Sequence, residues 1–597
     1  MIEKARAVLK KYWGYDDFRG LQGEIITSIL TGNDTIGLLP TGGGKSICYQ
    51  IPGIIYPGTT VVISPLVALM DDQHNGLVHR GIKSYHFKGS YSIRKLDEAF
   101  RNLRYGKYKF AFLAPERLSN PLFLEYLGNA DISLIAIDEA HCISQWGFDF
   151  RPSYLNIHKV KEILPNTPTI ALTASATPRV KADLLQELHI PDAKVFEGSV
   201  RRDNLILHRH FTPNKEKQLL RLMTKLEGTG IIYAKTRRSC EGLSNLLSNE
   251  GFASCFYHAG VDDAIKIKNQ AAWIANEVKV MVATTAFGMG IDKGDVSWVV
   301  HWDVPDTLEG YYQEIGRAGR NGATGNTHLL YNQYDFERLN KSIEELPDIK
   351  TVEAFYKSFC SKHQIAIGSG LEEKIEFNIV DLAKRFDLPI PKLLNFIKLI
   401  QQRGYWQFIE SAFSVPKIKF TSAPENWKGL TQETMEVLGA LYRMYPLAVD
   451  GPIRFDRKRI AAMAMLTPSD FDTLLLSFQT KGLIEYQAAD NKSAIQFMEP
   501  RPADKYVSFP SSFVDAYINA KKERTNAMLA FLKSEECMTK QIAHYFGQKD
   551  DKRCGVCSAC TFNHYPDPTI IKQMLRDGHS FDDIWFDLNC NPNELKN

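Results

Sequence analysis

Four groups of residues in this sequence have the types and spacing to do chemistry. The first is Leu39-Pro40-Thr41-Gly42-Gly43-Gly44-Lys45-Ser46. Its consecutive glycines let backbone N–H groups approach phosphate oxygens, Lys45 can reach the β/γ oxygens, and the Ser46 hydroxyl can ligate Mg²⁺. Leu39 stands where the general pattern has its first glycine. The second group is Asp138-Glu139-Ala140-His141, directly after the apolar run Leu134–Ile137. Asp138 is placed to hold Mg²⁺ and Glu139 to orient an attacking water. An acidic pair at a strand end can equally be a helix N-cap, but beside a Lys45 loop the catalytic reading is favoured. The third, Gln313-Glu314-Ile315-Gly316-Arg317-Ala318-Gly319-Arg320, spaces Arg317 and Arg320 with small residues. Arginines so placed, with Gln313 beside them, reach across a cleft to neutralise transition-state charge; the bland alternative is a solvated helix face. The fourth is Cys537 with Cys554-Gly555-Val556-Cys557-Ser558-Ala559-Cys560. Four thiolates can surround Zn²⁺ tetrahedrally, or hold an iron–sulfur cluster; zinc is the preferred reading, with His544 and His564 as bystanders.

These groups need elements to carry them. From about residue 1 to 340, short β-rich apolar runs alternate with amphipathic helical stretches. The predicted strands are Thr35–Leu39, Thr60–Ile63, Phe110–Leu113, Leu134–Ile137 and Thr169–Leu172, then Gly230–Tyr233, Ser254–Tyr257, Val278–Val282 and Trp298–His301. Continuous apolar strands alternating with helices make parallel sheets covered on both faces. The two series meet near Arg201-Arg202-Asp203-Asn204, predicting two stacked α/β domains. Beyond about residue 345 a helix–turn–helix–strand scheme occurs twice, over Asn378–Phe408 and Arg457–Tyr486, and looks like winged-helix modules. A Pro-rich stretch (Pro500, Pro502, Pro510) then leads to the cysteines. The predicted domains are 1–200 and 201–342 (the two α/β domains), 343–505 (winged-helix-like, mainly α), 506–565 (small zinc module) and 566–597 (a short helical tail).

Length and composition agree. At roughly 150 residues per domain, 597 residues allow about four domains. Lys+Arg 72 against Asp+Glu 69 gives a net charge of +3, so any basic surface for a nucleic acid must be local. Of 10 cysteines, six are scattered singly, which suits a reducing cytosol with one metal site better than a disulfide scaffold. The N-terminus lacks the features of a signal peptide, and no long apolar run predicts a membrane span.

In this order the blocks resemble superfamily 2 helicases, and several resemble the RecQ family closely. Tyr15-Asp16-Asp17-Phe18-Arg19 with Gln22 is similar to the RecQ adenine-recognition motif. The resemblance implies that Gln22 bonds the adenine edge and that Arg19 supports the nucleotide. Ser144 to Pro152 resembles the family's aromatic-rich loop, which implies that Gln145, Trp146, Phe148, Phe150 and Arg151 couple single-strand binding to ATP hydrolysis; stacking on aromatic faces tolerates any base sequence. Ala171–Thr177 matches the motif linking hydrolysis to unwinding, and Tyr257–Gly260 with Ala283–Lys293 matches the second motor domain. Ile542–Gly547 resembles the RecQ zinc module.

Two departures stand out. Phe148 occupies a position where the family usually has His. The zinc module follows the winged-helix region instead of preceding it, so the family's strand-separating hairpin cannot be carried over; Lys492, near a wing turn at Ala489-Asp490-Asn491, is a candidate beside the plainer reading of a solvated loop. The resemblance implies a Mg²⁺- and ATP-dependent DNA helicase with two tandem RecA-like domains and a structural Zn²⁺. It further implies a monomer moving 3′ to 5′ on single-stranded DNA and opening duplex DNA in repair or recombination. A cytoplasmic, nucleoid-associated location, and a single-strand-binding protein or topoisomerase as partner, are implied in the same way. The competing readings are an RNA helicase, against which stand the Gln145–Pro152 loop and the zinc module, and a non-unwinding DNA-binding protein or transcription factor. Intact Lys45, Asp138, Glu139 and Arg320 argue against a degenerate motor.

Overall fold

The computed structural model describes the chain apart from residues 90, 145–146, 148–149, 175, 288–292, 410–415, 428–429, 450, 465, 488–491, 562–572, 575 and 577–597. The tail 566–597 therefore falls almost entirely outside the described residues. No helix among the described residues is long and apolar enough to cross a membrane.

The first series of apolar runs forms a seven-stranded parallel sheet: β1 (Thr35–Leu38), β2 (Thr59–Ile63), β3 (Ser84–His86), β4 (Phe110–Leu113), β5 (Ile132–Ile137), β6 (Thr169–Thr173) and β7 (Lys194–Glu197), in the order β3-β4-β2-β5-β6-β1-β7. Every residue of β1, β2, β4 and β6 is buried, as a sheet with helices on both faces requires. The second series forms a six-stranded parallel sheet: β8 (Leu205–Phe211), β9 (Thr229–Tyr233), β10 (Ser254–Tyr257), β11 (Val280–Ala283), β12 (Val296–His301) and β13 (Gly325–Tyr331), in the order β10-β11-β9-β12-β13-β8. Sequence reasoning passed over β3, β7, β8 and β13. β3 is three residues long, β7 is largely exposed, and β8 and β13 carry polar side chains among their apolar ones.

Residues 259–262 and 347–509 cluster as a unit of their own. It holds two three-stranded antiparallel sheets, one of β14 (Lys374–Asn378), β15 (Trp406–Ile409) and β19 (Lys492–Phe497), the other of β16 (Lys417–Phe420), β17 (Ile453–Arg454) and β18 (Ile484–Gln487). β19 pairs with both β14 and β15. The chain thus leaves the first module after β15, builds the second around Phe455, Phe471, Phe478 and Ile484, and returns. The second module is nested inside the first, an arrangement that the repeated scheme in the sequence did not reveal. The return strand is distant in sequence from the partner it closes against, and local periodicity carries no signal of such a pairing. Residues 489–491 and the Lys492 side chain lie outside the described residues.

The zinc-module helices, Ser511–Lys533 and Met538–Tyr545, belong to the unit that contains both large sheets. Phe531, Leu532, Met538 and Phe546 share one buried cluster with Leu205, Leu207, Tyr311 and Tyr312. The module is far from both large sheets in sequence yet completes the core beside the second.

Candidate active site and metal centre

The phosphate-loop residues lie between β1 and the helix Lys45–Ile55. Leu39 is buried and its N–H bonds Thr173 O of β6 at 3.1 Å, so it acts as a core residue where the general pattern has glycine. Gly42 and Gly44 have φ of 77° and 69°, left-handed values that glycine adopts without strain. Space matters too: a Cβ on Gly44 would lie 2.4 Å from Gln22 Nε2. The Gln22 amide donates to Gly43 O (2.9 Å) and Gly44 O (3.2 Å), and its oxygen accepts from Arg19 N (3.0 Å). Gln22 therefore braces the loop here, a contact that sequence reasoning, which looked toward adenine, did not foresee. The Arg19 guanidinium lies over the Tyr15 ring at 5.2 Å.

Asp138 sits at the end of β5 with its N–H bonded to Ile63 O (2.9 Å), while its carboxylate accepts from Glu139 N (2.9 Å). Burial and the neighbouring Glu139 push its carboxyl up to about 7, against the pull of Lys45. A buried carboxyl of this kind ionises when a cation joins it, which suits Asp138 to a Mg²⁺ site. Glu139 has φ 45°, a left-handed conformation that costs a non-glycine residue on the order of 1 kcal/mol or more and is characteristic of functional turns. Tyr154 supports the turn by donating to Asp138 O (2.9 Å), and His141 Nδ1 meets Thr173 Oγ1 at 2.8 Å. That last bond joins the acidic motif to the Ala171–Thr177 motif.

The arginine segment follows the helix Leu308–Ile315. Arg202 donates to Gly316 O (2.9 Å) and Gly319 O (2.7 Å), and Asn204 to Gly319 O (2.8 Å), so the turn carrying both arginines is tied down by the segment that joins the two sheets. This turn lies on the phosphate loop. A Cβ on Gly316 would fall 1.7 Å from Thr41 Oγ1, and one on Gly42 would fall 3.1 Å from Arg320 Cγ. The structure thus brings Thr41, Gly42, Gly316 and Arg320 together. Gln313 and Arg317 line an adjoining cavity with Tyr233, Asp303 and Glu314.

Of the predicted DNA-coupling residues, Gln145, Trp146 and Phe148 lie outside the described residues. Phe150 is half-buried, and Arg151 donates to Pro65 O at 2.8 Å.

The four cysteine sulfurs lie within 4.8 Å of one another. Cys554 and Cys560 are 3.9 Å apart and Cys537 and Cys557 4.0 Å, too far for disulfides. Zn–S bonds of about 2.3 Å in a tetrahedron set S···S edges of roughly 3.8 Å, so the donor set fits Zn²⁺. Backbone N–H groups of Cys554 and Met538 point at the Cys537 and Cys557 sulfurs (3.2 and 3.4 Å), as thiolates require. Cys537 and Cys557 are buried. His544 stands apart, facing Asp551 at 3.4 Å, and His564 lies outside the described residues.

Comparison with known proteins agrees with this geometry. Residues 19–184 match the DEAD/DEAH box helicase model, 214–322 the helicase conserved C-terminal domain, and 508–561 the RecQ zinc-binding model. The chain is 40% identical over 338 residues to the ATP-dependent DNA helicase RecQ of Bacillus subtilis, covering 56% of this chain and 57% of that one. It is 39% identical over 347 residues to the probable ATP-dependent DNA helicase RecS of the same organism, covering 58% of this chain and 70% of the relative. The chain thus spans little more than half the length of that RecQ relative. Among solved structures, Saccharomyces cerevisiae Dbp5 bound to RNA and ADP BeF3 matches with 19% identity and a TM-score of 0.46 over 57% of this chain and 91% of that one.

Proposed function

The chain belongs to the RecQ family of superfamily 2 helicases, and from that premise we propose that it is an ATP-driven motor that moves 3′ to 5′ along single-stranded DNA and separates duplex DNA. The observation that carries the reading is the seating of the Gly316–Arg320 turn on the Thr41–Gly44 loop, which sets a cation donor from the second sheet against the phosphate cradle of the first. Residues 1–200 and 201–342 are assigned to the two motor domains, 343–505 to the winged-helix-like region and 506–565 to the zinc module.

Each side chain then has a task. The loop N–H groups and Lys45 hold the phosphates, and Glu139 orients the attacking water. Arg317 and Arg320 reach charge that develops as the phosphoryl group leaves. Bound Mg²⁺, held by Ser46 and Asp138, would neutralise charge on the β and γ oxygens. Closing and opening of the cleft would shift the grip on the DNA backbone, with Gln145, Trp146, Phe148, Phe150 and Arg151 reporting the strand to the acidic motif. Repair or recombination on nucleoid DNA, as a monomer, is the setting that the family suggests.

The test is ATP turnover with and without an oligo-dT strand. The reading predicts strong stimulation by the strand, abolished in Lys45→Ala and Arg320→Ala. Tight strand binding with no turnover in the unaltered chain would refute it.

A further inference from the structure

The segment joining the two motor sheets is held by a side chain that no motif marks. Gly198 N–H bonds Leu38 O, at the mouth of the phosphate loop, at 2.8 Å. Two residues on, the Val200 carbonyl accepts from Tyr312 Oη (3.0 Å), on the helix that carries Gln313. Gln548 of the zinc module lies between these points. Its amide nitrogen donates to Gly198 O (2.8 Å) and Glu197 Oε1 (3.1 Å), and its amide oxygen accepts from Val200 N (3.0 Å).

The surroundings keep Gln548 in place. Phe546 packs on Tyr312 with ring centroids 5.1 Å apart. Gly547 (φ 80°) approaches Pro178 so closely that a Cβ would lie 2.5 Å from Pro178 Cγ. Arg201, next in the linker, pairs with Asp550 at 3.3 Å. The zinc loop also extends the second sheet: Ser558 N donates to Leu207 O (2.9 Å), and Ser558 Oγ accepts from Arg209 N (3.0 Å). One short stretch of the zinc module therefore touches the first motor domain, the linker and the arginine helix.

We propose that the zinc module is a brace for the hinge between the motor domains, and that Gln548 is a positioning residue setting how the Gly316–Arg320 turn meets the Thr41–Gly44 loop. A partly buried linker outside any helix or strand would otherwise open locally at little cost. Three hydrogen bonds from one side chain fix its course, and a cleft misplaced by about 1 Å loses catalytic rate steeply. The metal acts at a distance, by holding the loop that holds Gln548. This rests on the motor reading above.

The test uses the full chain with zinc bound, as wild type, Gln548→Ala and Gln548→Glu. Zinc content and affinity for oligo-dT are checked first and are expected to be unchanged. Hydrogen exchange at residues 198–203 should then speed up by about tenfold in Gln548→Ala, with the Val200 amide most affected. Strand-stimulated kcat should fall about fivefold with KM for ATP unchanged. Gln548→Glu keeps the acceptor for Val200 N–H but turns the donor into an anionic oxygen facing Gly198 O and the Glu197 carboxylate, and should loosen the linker at least as much as Gln548→Ala. Unchanged exchange, or unchanged stimulated turnover, in fully zinc-loaded Gln548→Ala would overturn the proposal. Absence of turnover in the wild type would instead overturn the motor reading, and the exchange data would still decide whether Gln548 holds the linker.

Discussion

Gly316 and Thr41 approach each other so closely that a single methyl group on Gly316 would sit 1.7 Å from the threonine hydroxyl. They come from segments that carry different parallel sheets, and their contact sets the distance between the phosphate cradle and the arginines. Gly316→Ala should therefore push the turn off the loop. ATP turnover should fall by roughly 10²-fold, the loss expected for about 1 Å of misplacement, while the melting temperature changes little. Steady-state ATPase measurement checks this; near wild-type turnover would mean that the contact is not part of the working geometry.

The zinc centre is predicted to be structural. Cys557→Ser removes a buried ligand, and free energy on the order of 10 kcal/mol ties such metals to folding. The module should unfold locally and expose the core it shares with Leu205 and Leu207. Metal analysis should find zinc in the wild type and not in the variant, together with an early melting transition. A brown, iron-containing wild type would point to a cluster in place of zinc.

Phe150→Ala should weaken single-strand binding and strand stimulation while leaving basal turnover intact. Loss of one stacking face costs about 1–3 kcal/mol, some five- to hundredfold in Kd for oligo-dT, measurable by fluorescence anisotropy.

A histidine ladder should draw stability down in mild acid, against the opposite contribution of Asp138, whose raised carboxyl takes up a proton in the folded chain first. His208, His210 and His328 stack across β8 and β13, with His210 Nε2 3.0 Å from His328 Nδ1. Burial depresses all three, His210 to about 3. The folded state keeps them neutral, whereas the unfolded chain takes up protons near pH 6.5. Their contribution is complete above that pH and is lost as pH falls toward the folded values, at roughly 2 kcal/mol from His210 alone between pH 6.5 and 5. Denaturant melts at pH 7 and pH 5 check this, with His210→Gln flattening the difference.

Much of the chemistry was legible because it is local. The Lys45 loop, the Asp138–His141 turn and the Cys554–Cys560 run each lie within a few residues, and each announces itself by type and spacing. Buried parallel strands such as β2 and β5 read directly as apolar runs. What escaped was set by pairings distant in sequence. β19 closes onto β14 and β15 across a whole inserted module, and Gln548 reaches back to Gly198 and Val200. A glutamine that bonds backbone atoms needs nothing from its partners' side chains, so it leaves no mark on them. The approach of Gly316 to Thr41 was hidden for a related reason: glycine records a requirement for space without saying what fills it.

The measurement that bears most directly on the central claim is strand separation of a short duplex bearing a single-stranded tail at either the 3′ or the 5′ end, with Mg²⁺ and ATP, in wild type and Lys45→Ala. The account predicts ATP-dependent opening of the 3′-tailed duplex alone, absent in Lys45→Ala. Opening that persists in Lys45→Ala, or no opening of either duplex while ATP turnover remains strand-stimulated, would contradict it.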